Sequence, residues 1–346
     1  MKTISERLSE RECSILAATV KDYIHTALPV ASNRVKDVYN LAISTATIRN
    51  TMSALEQSGY LTHPYTSAGK IPTDKGYRAY VNKLMVVEDL DTEIAAEVRR
   101  DLEQLSGDLD KLLRIVAHII ARLCGGVGIT ITPASHQAYL RGIRLVFVSD
   151  RHMLFVLELD GGGIRTVVAE GKRTVAESQL VILEEILNER LCGLTLEEIQ
   201  ATVGSRLEGT LADDLGITTF ILDNSNELFP EQVPGELHFY GLQQVLTSPE
   251  FFDQNNVIAL LSLVENERRL RNLLLDSEPE DEMAVTIGGE HGDERLTTFA
   301  TISRGFYHGG SLGAMALLAP KRVDYPQVFA VLEFISNAVS ELVDGD

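Results

Sequence analysis

Arg49 and Asn50 stand side by side in the run Ser44-Thr45-Ala46-Thr47-Ile48-Arg49-Asn50-Thr51-Met52-Ser53-Ala54-Leu55-Glu56. Each side chain is planar and two-pronged. A guanidinium can fork onto guanine O6 and N7, and a carboxamide onto adenine N6 and N7. Ser44, Thr45 and Thr47 add hydroxyls close by, and Ala46 and Ser53 keep the same face small enough to sink into a groove. Free backbone N–H groups near Ser44, Thr45 and Ala46 can receive a phosphate. Thr66, Ser67 and Lys70, around Gly69, form a second set of phosphate donors. These side chains suit non-covalent recognition of a double-stranded nucleic acid.

Patterns for other chemistry are weak. Gly161-Gly162-Gly163 has no following Lys-Ser/Thr, so a hairpin connection is expected there and not a phosphate loop. The pairs Glu184-Glu185 and Glu197-Glu198 fall on amphipathic helices and are expected to face water. The eight histidines are scattered, without metal-ligand spacing, and His63 reads as a plain polar residue. Neither an enzymatic activity, a cofactor nor a metal is expected.

The elements that must hold Arg49 and Asn50 can be read from capping and periodicity. Ser9 with Glu12 has capping-box spacing, and Ile15, Leu16, Val20, Tyr23 and Ile24 follow as one apolar stripe. Pro29 stops that helix, and Ser32 is placed to cap a short second helix bearing Val35 and Val38. Ser44 caps a third, which Gly59 ends. On the third helix Ile48, Met52 and Leu55 share the core side; Ala46, Asn50 and Ser53 lie opposite, flanked by Thr47 and Arg49. A short helix, a tight turn and a longer helix make a helix-turn-helix. Residues 60–72, with Pro64, Gly69 and Pro72, read as a β-ribbon wing after it.

Charge is distributed to match. The 346-residue chain carries a formal net charge of −19, yet residues 1–85 hold 11 Lys and Arg against 7 Asp and Glu, a net of +4, leaving −23 for the rest. A basic head that meets a polyanion and an acidic body held off it are the expected roles. Apolar residues make up 45% and charged residues 23%, an ordinary globular mix. No run of 18 apolar residues is present, so no membrane helix is expected, and the charged first residues are not expected to be a signal peptide. Cys13, Cys124 and Cys192 form no C-x-x-C pair and read as free, buried thiols of a reducing compartment. A cytoplasmic location follows.

Beyond the head, Leu102–Leu123 reads as one long helix, and strands are expected at Ile143–Val148, Met153–Leu157 and Thr166–Ala169, then at Ala284–Ile287, Leu296–Ile302 and Leu312–Leu318. A last helix follows, from Tyr325 to Leu342. Two blocks of strands around a mainly helical stretch imply an α+β body with an insertion. Boundaries are expected at 1–85 for the head, 86–173 and 281–346 for the two parts of the body, and 174–280 for the insert.

Several strings resemble the HrcA family of bacterial heat-inducible transcription repressors. They are Pro29-Val30, the Ser44–Glu56 run, Thr66-Ser67-Ala68-Gly69, and Pro72-Thr73-x-x-Gly76-Tyr77-Arg78-x-Tyr80-Val81. Leu187-Asn188, Pro249-Glu250-Phe251, Ile287-Gly288-x-Glu290 and Arg322-x-Asp324-Tyr325 extend the likeness over nearly the whole chain. Ala31, Tyr65 and Lys70 stand where the family usually has Gly, His and Arg; Lys keeps the charge but loses the bidentate fork. The resemblance implies an N-terminal winged helix-turn-helix, a GAF-like α+β domain and an inserted dimerisation domain. It implies a homodimer on an inverted-repeat operator of chaperone genes, and assistance from the chaperonin GroE. Arg49 and Asn50 would then read bases, while Ser44, Thr45, Thr47, Thr66, Ser67 and Lys70 would hold the backbone. The apolar stretches Val257–Leu263 and Leu270–Leu275 could form the dimer contact or an internal core helix. Arg322, Asp324 and Tyr325 are expected to fix the last helix to the sheet. Two other functions fit the same residues: a regulator gated by a small ligand in the GAF-like body, and a winged helix that docks a protein.

Overall fold

The computed structural model describes residues 8–39, 42–65, 69–105, 108–133, 139–149, 152–159, 164–170, 177–214, 217–229, 235–275, 283–308 and 311–343. Helix and antiparallel sheet are mixed in an α+β chain that divides into two compact units. Met1–Thr132 and Glu236–Asp346 make one, Pro133–Gly235 the other.

The first unit opens with helix α1 (Glu10–Thr26), whose N-terminus is closed by Ser9 and Glu12 in a reciprocal capping box. Ala27 leaves it in a left-handed conformation at φ 56°. Helix α2 (Ser32–Tyr39) begins on Ser32, which is buried as the first helical residue and so is not the cap; Val35 is buried but Val38 faces out. Helix α3 (Thr45–Gln57) is followed by a two-stranded antiparallel ribbon of β1 (Leu61–Thr62) and β2 (Ile71–Pro72). Helix α4 (Asp74–Ala79) runs on into a π-helical turn, Tyr80–Leu84. The helix expected over Leu102–Leu123 starts later, as α6 (Leu109–Cys124), and a separate helix that was not expected, α5 (Thr92–Glu103), precedes it. Asp108 accepts the N–H of Lys111 and starts α6 afresh, an N-cap signal that the run of leucines hides. Strand β3 (Val127–Ile131), short and buried throughout, then enters the sheet.

The second unit is a three-stranded antiparallel sheet, β4 (Leu140–Ser149), β5 (His152–Leu159) and β6 (Ile164–Glu170), with helices α7 (Glu177–Leu191), α8 (Leu196–Leu207), α9 (Leu211–Asp214), α10 (Ile217–Asp223) and α11 (Ser225–Leu228). Alternate residues Ile143, Leu145, Phe155 and Leu157 face a core shared with Leu183, Leu187, Val203 and Phe220. Helix α7 also satisfies the outer backbone of β4. Asn188 accepts from Ile143 N at 2.8 Å and donates to Ile143 O at 2.7 Å, and Glu184 accepts from Leu145 N at 2.9 Å. Glu184 is thus half-buried on the sheet, while Glu185 is exposed as expected. Gly161–Gly163 lie outside the described residues.

The chain returns to the first unit as β7 (Leu237–Tyr240), helices α12 (Leu242–Val245), α13 (Gln254–Val264) and α14 (Glu267–Leu275), strands β8 (Ala284–Ile287), β9 (Phe299–His308) and β10 (Ser311–Pro320), and helix α15 (Tyr325–Val343). Five strands pair antiparallel in the order β7-β3-β10-β9-β8. On β10, Met315, Leu317 and Ala319 point to one core and Ala314, Ala316 and Leu318 to another. The first core holds α6 and α15, the second α13 and α14, so the sheet is covered on both faces. At Gly128 a Cβ would meet Ala117 O at 2.1 Å, so only glycine lets α6 lie this close to β3.

The boundaries differ from those read in the sequence. Strands β4–β6 pair only among themselves and carry their own helices, so the division falls at 132/133 and 235/236 and not at 173/174 and 280/281. Leu260, Leu263, Leu270 and Leu274 are buried against the five-stranded sheet, which is the internal-core alternative for those stretches. Helices α1–α4 share one continuous core with α5, α6 and α15. Tyr77 and Tyr325, both buried, meet there with ring centroids 6.0 Å apart. Arg322 bonds Glu250 and the carbonyl of Ile24, and Tyr325 Oη donates to Lys321 O, so these residues fix elements in place. The three cysteines are unpaired and half-buried, less enclosed than expected; burial pushes the Cys124 thiol up to about 12. Among the described residues, no helix is long and apolar enough to cross a membrane.

Candidate nucleic-acid interface

Helix α3 is held by its apolar side. Ile48, Met52 and Leu55 are at most 2% exposed and lie in the same core as Ile15 and Leu16 of α1. Burying three such side chains contributes roughly 1.5–3 kcal/mol each, enough to fix which face turns outward. That outer face carries Ala46, Arg49 and Asn50, all exposed, with Thr45, Thr47 and Ser53 half-buried at its borders. Ser44 caps the helix: Thr47 N donates to Ser44 Oγ at 3.1 Å, and the two hydroxyls lie 2.9 Å apart. Thr45 and Ala46, in the first turn, keep backbone N–H groups that the helix cannot satisfy, on the positive end of its dipole. An anion is therefore favoured beside an exposed guanidinium and carboxamide.

The ribbon is anchored at its base. Lys70 exchanges two backbone hydrogen bonds of 2.8 Å with Val30. At Gly69 a Cβ would meet Val30 O at 2.5 Å, which is why a side chain is not tolerated there. Glu56, in the last turn of α3, is bonded by both Lys70 Nζ and His63 Nδ1. Lys70 is thus half-buried in an ion pair, and His63 is more than a plain polar residue. Thr66 and Ser67 lie outside the described residues. The structure brings Ser44, Thr45, Thr47, Arg49 and Asn50 together at one end of α3, and places Lys70 apart from them.

This arrangement separates two roles for Lys70. A phosphate contact would reduce the salt slope of nucleic-acid binding by about one unit when Lys70 is replaced by alanine. A clasp on Glu56 predicts an unchanged slope and a lower Tm, and this second result is the one expected. The hydrogen bonds from Lys70 and then His63 hold the Glu56 carboxyl below its usual 4.5. A depressed folded-state pKa gives stability that is complete above the unfolded value and is lost as pH falls through the folded one. The ribbon should therefore loosen below about pH 4.5, and Glu56→Gln should remove that part of the acid dependence in a Tm-versus-pH series.

Sequence reading also missed how the segment after the ribbon is moored. Thr73 caps α4 by accepting from Gly76 N at 3.1 Å. Asp74 then accepts from Gly289 N at 2.9 Å and pairs with Lys321, while Arg78 pairs with Glu290 and donates to Val285 O at 2.6 Å. Burial works against the Glu290 carboxylate, but the bonds from Arg78 and Ile287 N outweigh it and hold it below its usual value. The motif Pro72–Val81 contained Arg78, yet its partners are far away in the chain and no spacing announces them.

The family model described as the HrcA protein C terminal domain matches residues 110–329. The chain belongs to the HrcA family. Among its HrcA relatives, the heat-inducible transcription repressor HrcA of Prosthecochloris aestuarii is 30% identical over 98% of both chains. That of Clostridium perfringens (strain 13 / Type A) is 31% identical over 96% of this chain and 98% of its own. A solved structure described as a hypothetical protein aligns with 98% of this chain and 99% of its own, at 26% identity and a TM-score of 0.61. These HrcA relatives are named as heat-inducible transcription repressors.

Proposed function

We propose that this HrcA-family protein is a sequence-specific DNA-binding repressor of chaperone operons. Helices α1–α3 and the β1–β2 ribbon act as a winged helix-turn-helix, with α3 in the major groove. Arg49 and Asn50 read base edges; Ser44, Thr45, Thr47 and, in the sequence between β1 and β2, Thr66 and Ser67 hold the phosphates. The observation that carries this reading is the outer face of α3, exposed and bearing Arg49 and Asn50 beside a capped helix N-terminus. The charge distribution, +4 before residue 86 and −23 after it, supports it by directing the polyanion to one end.

One head is small, so two act together as a homodimer on an inverted repeat. The three-stranded sheet of the second unit supports this, because Val146, Val148, Ile164 and Val168 are 47–67% exposed. A second copy would cover such a face. The five-stranded sheet with its helices is the GAF-like domain of the resemblance, and the protein works in the cytoplasm with the chaperonin GroE keeping it active. Footprinting on chaperone promoters, with and without chaperonin, tests this reading. Protection of an inverted repeat is expected; indifference to promoter fragments at low ionic strength would end the proposal.

The ligand-gated alternative has one observation of its own. A cavity of about 700 Å³ lies among α1, the segment 84–94 and α15, lined by Lys21, Tyr39, Tyr80, Leu90 and Asp324. A metabolite that raises Tm in the absence of DNA would favour it.

A further inference from the structure

Asp110, Glu236 and His238 come from distant parts of the chain and meet at one point of the first unit. Asp110 lies in the first turn of α6, Glu236 is the first residue of the unit after 133–235, and His238 sits on the edge strand β7. One ligand atom from each lies within 4.8 Å of the other two. His238 is only 9% exposed. Its Nε2 lies 2.8 Å from Asp110 Oδ1, yet the two are not aligned as a hydrogen bond, and both buried atoms are left without a hydrogen-bond partner. A buried imidazole nitrogen and a buried carboxylate oxygen that meet only in an ill-aligned contact are an expensive arrangement unless something else joins them. Thr132 holds the third residue in place: Glu236 N donates to Thr132 Oγ1 at 2.5 Å, and Thr132 N to Glu236 O at 2.9 Å.

We propose that these three residues bind one divalent cation of the zinc, cobalt or manganese class. A nitrogen and two carboxylate oxygens are the donors such ions take, at about 2.0–2.2 Å for zinc. Ligand atoms around one ion stand about 3 Å apart, which lies within the 4.8 Å spread here. Arg114 is the competing cation. Its Nε donates to Asp110 Oδ2 at 2.8 Å and its Nη2 reaches Glu236 Oε2 at 3.5 Å, but it is 58% exposed and touches the opposite oxygen of Asp110. Three protein ligands leave coordination positions for water, so a reversible, weakly held ion is expected, joining β7 to the start of α6.

The test uses the full chain freed of metal by a chelator, titrated with Zn²⁺ and, separately, Mn²⁺, with native mass spectrometry for stoichiometry and calorimetry for Tm. The wild type is expected to take up one more equivalent than His238→Gln or Asp110→Asn, and to gain about 5 °C in Tm at a hundredfold excess over Kd. Arg114→Met, which removes the competing cation, should bind at least as tightly as the wild type. Equal uptake by the wild type and both ligand variants would place any bound metal elsewhere, for example on the cysteines, and overturn the proposal. So would a wild type that takes up none. If His238→Gln does not fold, Asp110→Asn and Arg114→Met still decide the question through their opposite effects on affinity.

Discussion

Replacement of Arg49 by alanine is expected to weaken operator binding by about 1–3 kcal/mol, with the loss confined to particular operator positions. The side chain is exposed in mid-helix and makes no contribution to the core below it, where Ile48, Met52 and Leu55 are buried. Alanine and arginine have similar helix propensities, so Tm should not move. The measurement is a set of binding curves on single-base operator variants. In the wild type one position should discriminate strongly, and in Arg49→Ala that discrimination should be gone. A uniform loss over all sequences would mean that Arg49 touches phosphate. No loss at all would favour a head that docks a protein.

The largest effect on stability is expected at Tyr325. It is fully buried, packs against Tyr77, and donates its hydroxyl proton to Lys321 O at 2.9 Å. Truncating a buried aromatic residue to alanine costs about 3–5 kcal/mol, through lost transfer energy and the cavity left behind. For a unit of this size Tyr325→Ala should lower Tm by about 10 °C. Tyr325→Phe keeps the ring and removes one hydrogen bond, so it should cost only about 1 kcal/mol. Because helices α1–α4 share the core that Tyr325 fills, Tyr325→Ala should also weaken DNA binding at temperatures where Phe does not. A drop of one or two degrees for the alanine variant would show that the head does not depend on this core.

Local signals were the legible part. Ser9 with Glu12, Ser44, Gly59 and the stripe Ile48-Met52-Leu55 each act within a few residues, and each could be read from spacing alone. Contacts between distant segments could not. The break between α5 and α6 was hidden because leucines continue the apolar stripe across it. Strands β3 and β7 follow Gly125-Gly126 and Pro234-Gly235, but four or five residues are too few for periodicity to tell a strand from a buried turn of helix. The division into units depended on whether β4–β6 would pair with β8–β10, which hydropathy does not reveal. Lys70 was read as a free cation because nothing in its neighbourhood names Glu56 as its partner. Asp110, Glu236 and His238 are ordinary residues one by one; only the antiparallel register that sets β7 beside β3, under α6, unites them.

The bonds from Asn188 and Glu184 to strand β4 have a consequence at elevated temperature. Among the described residues β4 pairs with the strand β5 on one side; on the other, Leu140 bonds the backbone of Gly193 and Leu194, and the side chains of Asn188 and Glu184 stand in for a strand beyond it. An edge so guarded cannot recruit a foreign chain. Should α7 lift off before the sheet melts, Ile143 and Leu145 would present open amide and carbonyl groups beside an already apolar surface. Warming would then convert this region into a template for intermolecular β-pairing, and the molecules would be lost to aggregates before their remaining structure had come apart.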